Sequence, residues 1–456
     1  MIFKKILVAN RGEIAVRVIR TCRRLGFETV LAVSAADHDS LPVVMADATV
    51  PVGHYLDVGA IVDAAVTAGA DAIHPGYGFL AESPRLARAC ERAGIVFIGP
   101  RAEVLEAAGD KLAARQHAET AGVPVLPGEL VFGDAGPLAG EIGYPVLVKA
   151  AGGGGGRGMR VVSEPAELDR TVAVASAEAE AAFGDPRVYL ERYLSPARHV
   201  EVQLLGDGDN VIGLGDRDCS VQRRYQKLIE EAPAPLLDDG LRTRMRAAAV
   251  ALGTHLKYQG LGTVEFLVGP EQGDEQGNEQ GKFWFLEVNA RIQVEHPVTE
   301  AVTGLDLVAE QIAIAEGRPL TLAQDDIEIN GHAIECRINA EDPWAGFRPS
   351  PGTVTRAVFP AGPGVRVDTH IQAGTTVPPQ YDSLLAKLIV SGASRAEAVA
   401  RLRGALARCD IGGVRTTVGL YRELAGDRRF ADGGVHTGYL ARMLDRQPQD
   451  VREKDG

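Results

Sequence analysis

The chain has 456 residues, is 45% hydrophobic and 24% charged, and carries a net charge of −13. That balance suits a packed protein of roughly three domains and excludes wholesale disorder. It also excludes a broadly basic nucleic-acid footprint, while leaving room for local basic pockets that hold phosphates. Five scattered cysteines (Cys22, Cys90, Cys219, Cys336 and Cys409) form no C-x-x-C pair. Their spacing argues against a disulfide framework or a structural zinc and fits a reducing cytoplasm. No apolar run reaches the roughly eighteen residues of a membrane helix. The opening MIFKKILVANRGE meets charge and glycine before a signal-peptide core is complete.

Residues 1–110 read as strand–helix alternation. KKILVAN and TVLAVS have the β-branched bias of buried parallel strands. Between them Ile14, Val18, Cys22 and Leu25 form one stripe of a helix. ATVPVG, DAIHPG and IVFIGP are further strand candidates, with a helix over 58–68. The region is expected to be a doubly wound α/β unit.

From about 111 the texture changes. GDKLAARQHAETAG reads as a helix, then VLPG, YPVLVKA, GMRVVS, a helix over 165–183, VYLERYL and HVEVQLLGD follow. Strands joined by short glycine-rich turns point to a mostly antiparallel α+β module. GTVEFLVG and KFWFLEVNAR are expected to pair, separated by the acidic insert EQGDEQGNEQG as a solvated hairpin tip. A helix over 305–316 closes this region, and 331–445 form a third, α+β region. The last ten residues, QPQDVREKDG, are expected to be a disordered tail.

KAAGGGGGRGM (149–159) contains G-x-G-x-x-G, but a strand follows it and Lys149 precedes the glycines. A dinucleotide fold needs a helix directly after the loop, and a P-loop needs its lysine after the glycines. Two readings remain. One is a strand–loop–strand flap whose bare amides lie over phosphates, with Lys149 as a charged donor. The other is a flexible linker.

Glu265 stands in GTVEFLV, and Glu287 and Asn289 stand at i and i+2 in FLEVNAR, on one strand face. Phe283 and Phe285 share the parity of Glu287, so the face is not simply solvated. Carboxylates on an otherwise apolar strand are costly to bury unpaired. Three oxygen ligands suit Mg²⁺ better than an ordinary charged face. The strand is expected to run on, carrying Arg291, Gln293 and Glu295 on the same face. A cation, an amide and a carboxylate there suit binding and deprotonation of a small anion. His296 is as well read as structural as catalytic. Upstream, Arg223, Arg224 and Lys227 crowd together, either as an anion pocket or as a solvated charge run.

Taken together the chain resembles the biotin carboxylases of the ATP-grasp superfamily. The matching segments are ANRGEIA (9–15), IHPGYGFLAES (73–83), GDK (109–111), KAAGGGGGRGM, ERYL (191–194) and RHVEVQ (198–203). RDCSVQRRYQK (217–227), EEAPAP, EVNARIQVEHPVTE (287–300), ECRINAEDP (335–343) and YDSLLAKL (381–388) follow in family order. The resemblance implies an N-terminal α/β domain (1–110), an ATP-grasp domain (111–330) with a mobile glycine-rich lid near 130–200, and a C-terminal α+β domain (331–446).

It also implies roles. Lys111 and Lys149 would contact ATP phosphates, with Gly155 and Gly156 over them. Glu191, Arg192, Tyr193 and Leu194 would hold adenine, largely by backbone, and His199 would meet the ribose. Gln222 and Tyr225 would complete the nucleotide site, though many relatives carry histidine at the position of Tyr225. Glu265, Glu287 and Asn289 would bind Mg²⁺ or Mn²⁺. Lys227, Arg291, Gln293 and Val294 would hold bicarbonate, Glu295 would deprotonate it, and Arg337 would meet the biotin ureido group. Bicarbonate would attack the ATP γ-phosphate to give carboxyphosphate, and the CO₂ released from it would carboxylate biotin. No methionine flanks a lysine as in the Met-Lys-Met biotin attachment motif. The resemblance therefore implies a subunit serving a separate biotin carboxyl carrier protein and a carboxyltransferase. A homodimer is expected, without nucleic-acid or membrane partners. The acceptor is expected to be acetyl-CoA, for fatty acid synthesis; the alternatives are a pyruvate or other acyl-CoA carboxylase, or another ATP-grasp carbon–nitrogen ligase such as a carbamoyl-phosphate-forming enzyme.

Overall fold

The computed structural model describes residues 3–151, 159–269 and 281–445. Five short parallel strands open the chain: β1 (Lys5–Val8), β2 (Glu28–Val33), β3 (Ala48–Pro51), β4 (Ala72–His74) and β5 (Val96–Phe97). Their order is β3-β2-β1-β4-β5, so the connections wind outward both ways from β1. Ile6, Leu7 and Val8 are buried, as a strand covered on both faces requires. Helix Gly12–Leu25 packs Ile14, Val18 and Cys22 inward, but the expected fourth member, Leu25, is 37% exposed. The helix ends one residue later at Gly26, whose φ of +82° lets it close the last turn.

A second, four-stranded sheet has the order β6-β9-β7-β8, with β6 (Gly128–Leu130), β7 (Val146–Ala150), β8 (Arg160–Val162) and β9 (Val188–Arg192). Its apolar face packs against helix Leu168–Phe183 through Leu168 and Ala175.

The third sheet is the largest. It contains β10 (Arg198–Asp207), β11 (Val211–Arg223), β12 (Gln226–Ala232), β13 (Gln259–Val268), β14 (Phe283–Asn289) and β15 (His332–Asn339), then strands Val365–Thr369 and Leu384–Gly392. Its order is β14-β13-β10-β11-β12-β15, then Leu384–Gly392 and Val365–Thr369, antiparallel throughout. One continuous sheet thus crosses residue 331, joining strands from both sides of that position. All five cysteines are buried and free. Among the described residues no helix is long and apolar enough to cross a membrane.

Candidate active site

The large sheet carries an unusual row of charge. Register places Glu287 opposite Glu265, Glu265 opposite Glu201, and Glu201 opposite Arg217. Like charges directly opposite one another destabilise a sheet, so three carboxylates in a row demand counter-charge. Lys227 of β12 supplies it. Its Nζ lies 2.5 Å from Glu201 Oε2, 2.7 Å from Glu265 Oε1 and 2.7 Å from Glu295 Oε1. Arg217, fully buried, donates its Nε to Glu201 Oε1 at 2.7 Å, and its other nitrogens to Gln203, Thr299 and Thr263. His199 Nε2 stands 2.8 Å from Glu265 Oε2.

Titration follows from these contacts. Burial works against charge on Glu265 and Glu295, but Lys227 together with His199 for Glu265, and with Arg337 and Arg217 for Glu295, outweighs it, and both are held below the usual carboxylate range. Burial likewise opposes the Lys227 and His199 cations, and the surrounding glutamates raise both. Glu287 is the exception: burial and then its neighbour Glu265 push its carboxyl up. Two adjacent carboxylates, Glu265 buried and Glu287 half-buried and short of counter-charge, form an oxygen site that fits a hard cation. The amide nitrogen of Asn289 donates to both, 2.9 Å from Glu265 Oε1 and 3.3 Å from Glu287 Oε1, while its oxygen, the expected ligand, accepts from Arg291; the amide would have to turn over to ligate a cation. On the far side of Glu265, His199 and Glu201 come close enough to chelate, but Lys227 already fills the space between the two glutamates.

Two cavities meet at this cluster. The first, about 210 Å³, is lined by Lys111, Lys149, Glu191, Arg192, Tyr193, Leu194, His199, Gln222, Glu265 and Glu287, among others. Lys111 opens helix Lys111–Thr120, and burial followed by the nearby Lys149 lowers its pKa. Lys149 of β7 pairs with Glu191 of β9. Two lysines facing one small cavity make an anion site. The second cavity, about 540 Å³, is lined by Arg291, Gln293, Val294, Glu295 and Arg337, with Asn10, Arg11, Phe79 and Tyr381 farther out. Arg291 donates to Glu82 Oε2 (3.0 Å), Gln293 Oε1 (2.7 Å) and Asn289 Oδ1 (3.0 Å). Arg337 Nη2 donates to Glu295 Oε2 at 2.8 Å, and its Nε to Glu230 Oε1 at 2.6 Å. Lys387 Nζ donates to the Val294 carbonyl at 2.9 Å and so fixes that backbone.

Tyr225 and Lys227 line both cavities. Tyr225 belongs to a two-residue turn between β11 and β12, in which Arg224 has φ +47° and Tyr225 φ +68°. Positive φ at both positions is the geometry usually met by Asn-Gly, so Arg-Tyr is held there under strain.

Three sequence expectations change. A bulge in β14 sets Glu287 opposite Glu265 but Phe285 opposite Phe266, so the phenylalanines and Glu287 do not share a face. Phe283 instead stacks edge-on against Phe266 in the core, 5.3 Å between centroids. The strand also ends at Asn289; Arg291, Gln293 and Glu295 converge through an irregular segment that leads into helix His296–Thr303. Finally, Arg223, Arg224 and Lys227 do not form one pocket. Arg223 lies over the Phe347 ring at 4.4 Å, Arg224 is exposed, and only Lys227 enters the buried cluster.

His296 is buried, and burial drives its imidazole to the neutral form. Gly155, Gly156, nearly all of the acidic insert and the tail lie outside the described residues. Sequence reasoning missed Glu82, Glu201, Arg217, Glu230 and Lys387. The signal for Glu201 was present: His199, Glu201 and Gln203 alternate along β10 and all face the interior.

Known proteins resemble the chain along nearly its whole length. Residues 2–105 match the biotin carboxylase N-terminal domain, residues 110–323 the ATP binding domain of the carbamoyl-phosphate synthase L chain, and residues 335–442 the biotin carboxylase C-terminal domain. A protein named biotin carboxylase from Pseudomonas aeruginosa is 49% identical over 97% of this chain and 98% of its own. A pyruvate carboxylase subunit from Methanothermobacter thermautotrophicus is 48% identical, over 99% of this chain and 93% of its own. The solved biotin carboxylase domain dimer of Hydrogenobacter thermophilus 2-oxoglutarate carboxylase, in complex with MgADP, ADP and bicarbonate, superposes with a TM-score of 0.92 at 47% identity, covering 98% of this chain and all of that one. Two cavities sharing a lysine, and near-complete matches along the whole length, lead to one assignment: the chain belongs to the biotin carboxylase family of ATP-grasp enzymes.

Proposed function

We propose that the protein uses ATP and bicarbonate to carboxylate biotin on a separate carrier protein. This would be the first half-reaction of an acyl-CoA carboxylase with acetyl-CoA as its acceptor. The observation that carries the reading is Lys227, whose Nζ contacts Glu265 and Glu295 at 2.7 Å while lining both cavities. A group placed so can touch a phosphoryl group on one side and a small anion on the other.

In this reading Lys111, Lys149 and His199 take the phosphates and ribose of ATP, and Glu191 to Leu194 take the adenine. Gln222 and Tyr225 complete that wall. Glu265, Glu287 and Asn289 hold Mg²⁺ or Mn²⁺, which when bound neutralises phosphate charge. Lys227, Arg291, Gln293 and the backbone of Val294 orient bicarbonate, and Glu295 takes its proton. The depressed pKa of Glu295 keeps it ionised, so its carboxylate carries no proton of its own. One bicarbonate oxygen bonds to the γ-phosphorus as the bond to ADP breaks, and positioning by these cations carries the step. Carboxyphosphate breaks to CO₂ and phosphate, phosphate removes the ureido proton, and the ureido nitrogen bonds to CO₂. Arg337, at the wall of the second cavity, stabilises the negative charge left on the ureido oxygen.

Domains at 1–110, 111–330 and 331–446 agree in outline with the three family matches. The named dimer of the Hydrogenobacter relative supports a homodimer. Five buried free thiols favour a reducing compartment such as the cytoplasm. The Methanothermobacter relative's name keeps a pyruvate acceptor as the second reading. The deciding assay is ATP cleavage by the purified chain, expected to require bicarbonate and to rise with free biotin. Cleavage indifferent to both would overturn the proposal, and co-purified partners would identify carrier and acceptor.

A further inference from the structure

Behind Arg337 lies a second pair of carboxylates that the reaction does not use. Glu230 of β12 stands directly opposite Glu335 of β15, and both are fully buried. Glu230 Oε1 accepts the Arg337 Nε–H at 2.6 Å, but Glu230 Oε2 and both oxygens of Glu335 have no hydrogen-bond partner. Two carboxylates side by side in a dry sheet, with a single arginine contact between them, cannot both ionise.

The charges around the pair do not remove that conflict. Arg337, two residues along β15 and on the same face, is shared between Glu230 and Glu295. Lys387, opposite Arg337 on strand Leu384–Gly392, is engaged by the Val294 carbonyl and by Glu13 at 3.0 Å. Glu295 adds a further negative charge, matched by Lys227. Helix His296–Thr303 packs against β15 and brings the neutral His296 and a carboxylate, Glu300, which is taken by Arg17 and Arg366. Arg395, on the helix Arg395–Arg408 that also packs on β15, is taken by Glu231. Glu231 neighbours Glu230 in sequence and so points to the other face of the sheet.

We propose that Glu335 is a positioning residue: its carboxyl group holds a proton, shares it with Glu230, and so keeps Arg337 turned toward the second cavity. With one proton on the pair, a single negative charge sits behind the guanidinium. It anchors Nε while Nη2 stays on Glu295. With that proton lost, two charges pull the guanidinium inward, away from the cavity wall where the ureido group is read to bind. Burial drives the Glu335 carboxyl well above its ordinary value, Glu230 adds to this, and Glu230 itself is raised to about 7. Glu335 therefore sets an upper pH limit on the biotin-dependent step. The inference deepens the role proposed above for Arg337 and rests on it.

The test uses the full chain and its Glu335→Gln variant, which cannot lose the proton. Biotin-dependent carboxylation and KM for biotin and for ATP are measured from neutral to alkaline pH. The wild type should lose kcat/KM for biotin as pH rises, with KM for ATP unmoved, and the variant should carry that fall upward by about one pH unit or more. An unshifted alkaline limb overturns the proposal. A purely structural role predicts equal losses at every pH and in both KM values, which also overturns it. Infrared spectra of the wild type labelled with ¹³C-glutamate serve as an independent reading, even if the variant does not fold or the chain shows no biotin activity. A carboxylic-acid carbonyl band at neutral pH that vanishes on raising the pH and persists in Glu287→Gln supports the shared proton, and its absence refutes it.

Discussion

Replacing Lys227 by methionine removes one charge that three buried carboxylates share. Each keeps another cation: Arg217 for Glu201, His199 for Glu265 and Arg337 for Glu295. Breaking a buried ion pair costs about 3–5 kcal/mol, and those remaining partners put the loss at about 3 kcal/mol near neutral pH. The pH dependence has a definite sign. In the wild type the depressed Glu265 and Glu295 lend stability above the ordinary carboxylate range, lost only in strong acid. In Lys227→Met burial dominates, so at least one carboxyl binds a proton that the unfolded chain does not bind. Acidification then restores stability, and the deficit should shrink to about 1 kcal/mol near pH 5. Urea unfolding at about pH 8 and about pH 5, with identical buffers for both proteins, reads the two deficits. A deficit that is absent, or the same at both pH values, would refute the reading of Lys227 as the counter-charge of this cluster.

Three further outcomes follow from the geometry. Glu287→Gln should raise the Mg²⁺ needed for half-maximal ATP cleavage by about 10-fold or more, read by Mg²⁺ titration at fixed ATP; an unchanged requirement removes Glu287 from the metal site. Arg337→Ala should lower biotin carboxylation by about 10³ while bicarbonate-dependent ATP cleavage falls far less, and parallel losses would place Arg337 in the first step instead. The double variant Arg224→Asn, Tyr225→Gly should relieve the turn, raising stability by about 1–2 kcal/mol while increasing KM for ATP. A turn that gains no stability would mean that the positive φ values store no strain.

The alternation of His199, Glu201 and Gln203, and the i, i+2 placement of Glu287 and Asn289, were legible because a strand has one period and two faces. The family motifs carried the rest of the site list. Three features were not legible, each for a physical reason. The β14 bulge shifts side-chain parity without any glycine to mark it, so Phe285 and Glu287 read as neighbours on one face. The Arg224–Tyr225 turn lacks the residues that such turns favour, because strain is tolerated there. Partners distant in the chain leave no periodic signal: Glu82 reaches Arg291 across 209 positions, and Glu230 reaches Arg337 across 107.

The sheet that crosses residue 331 has a consequence for anyone who would exchange parts of this protein with a relative. A graft at that position looks modular in the linear sequence, yet it replaces β15 while leaving β12 beside it. The donor strand must then reproduce a full antiparallel register against a foreign edge and bring its own Glu335 and Arg337 opposite the host's Glu230 and Glu295. Inheritance of the C-terminal third is therefore tied to that of β12 and of the segment after β14. A chimera that ignores this coupling should keep its separate cores and lose the wall between its two cavities.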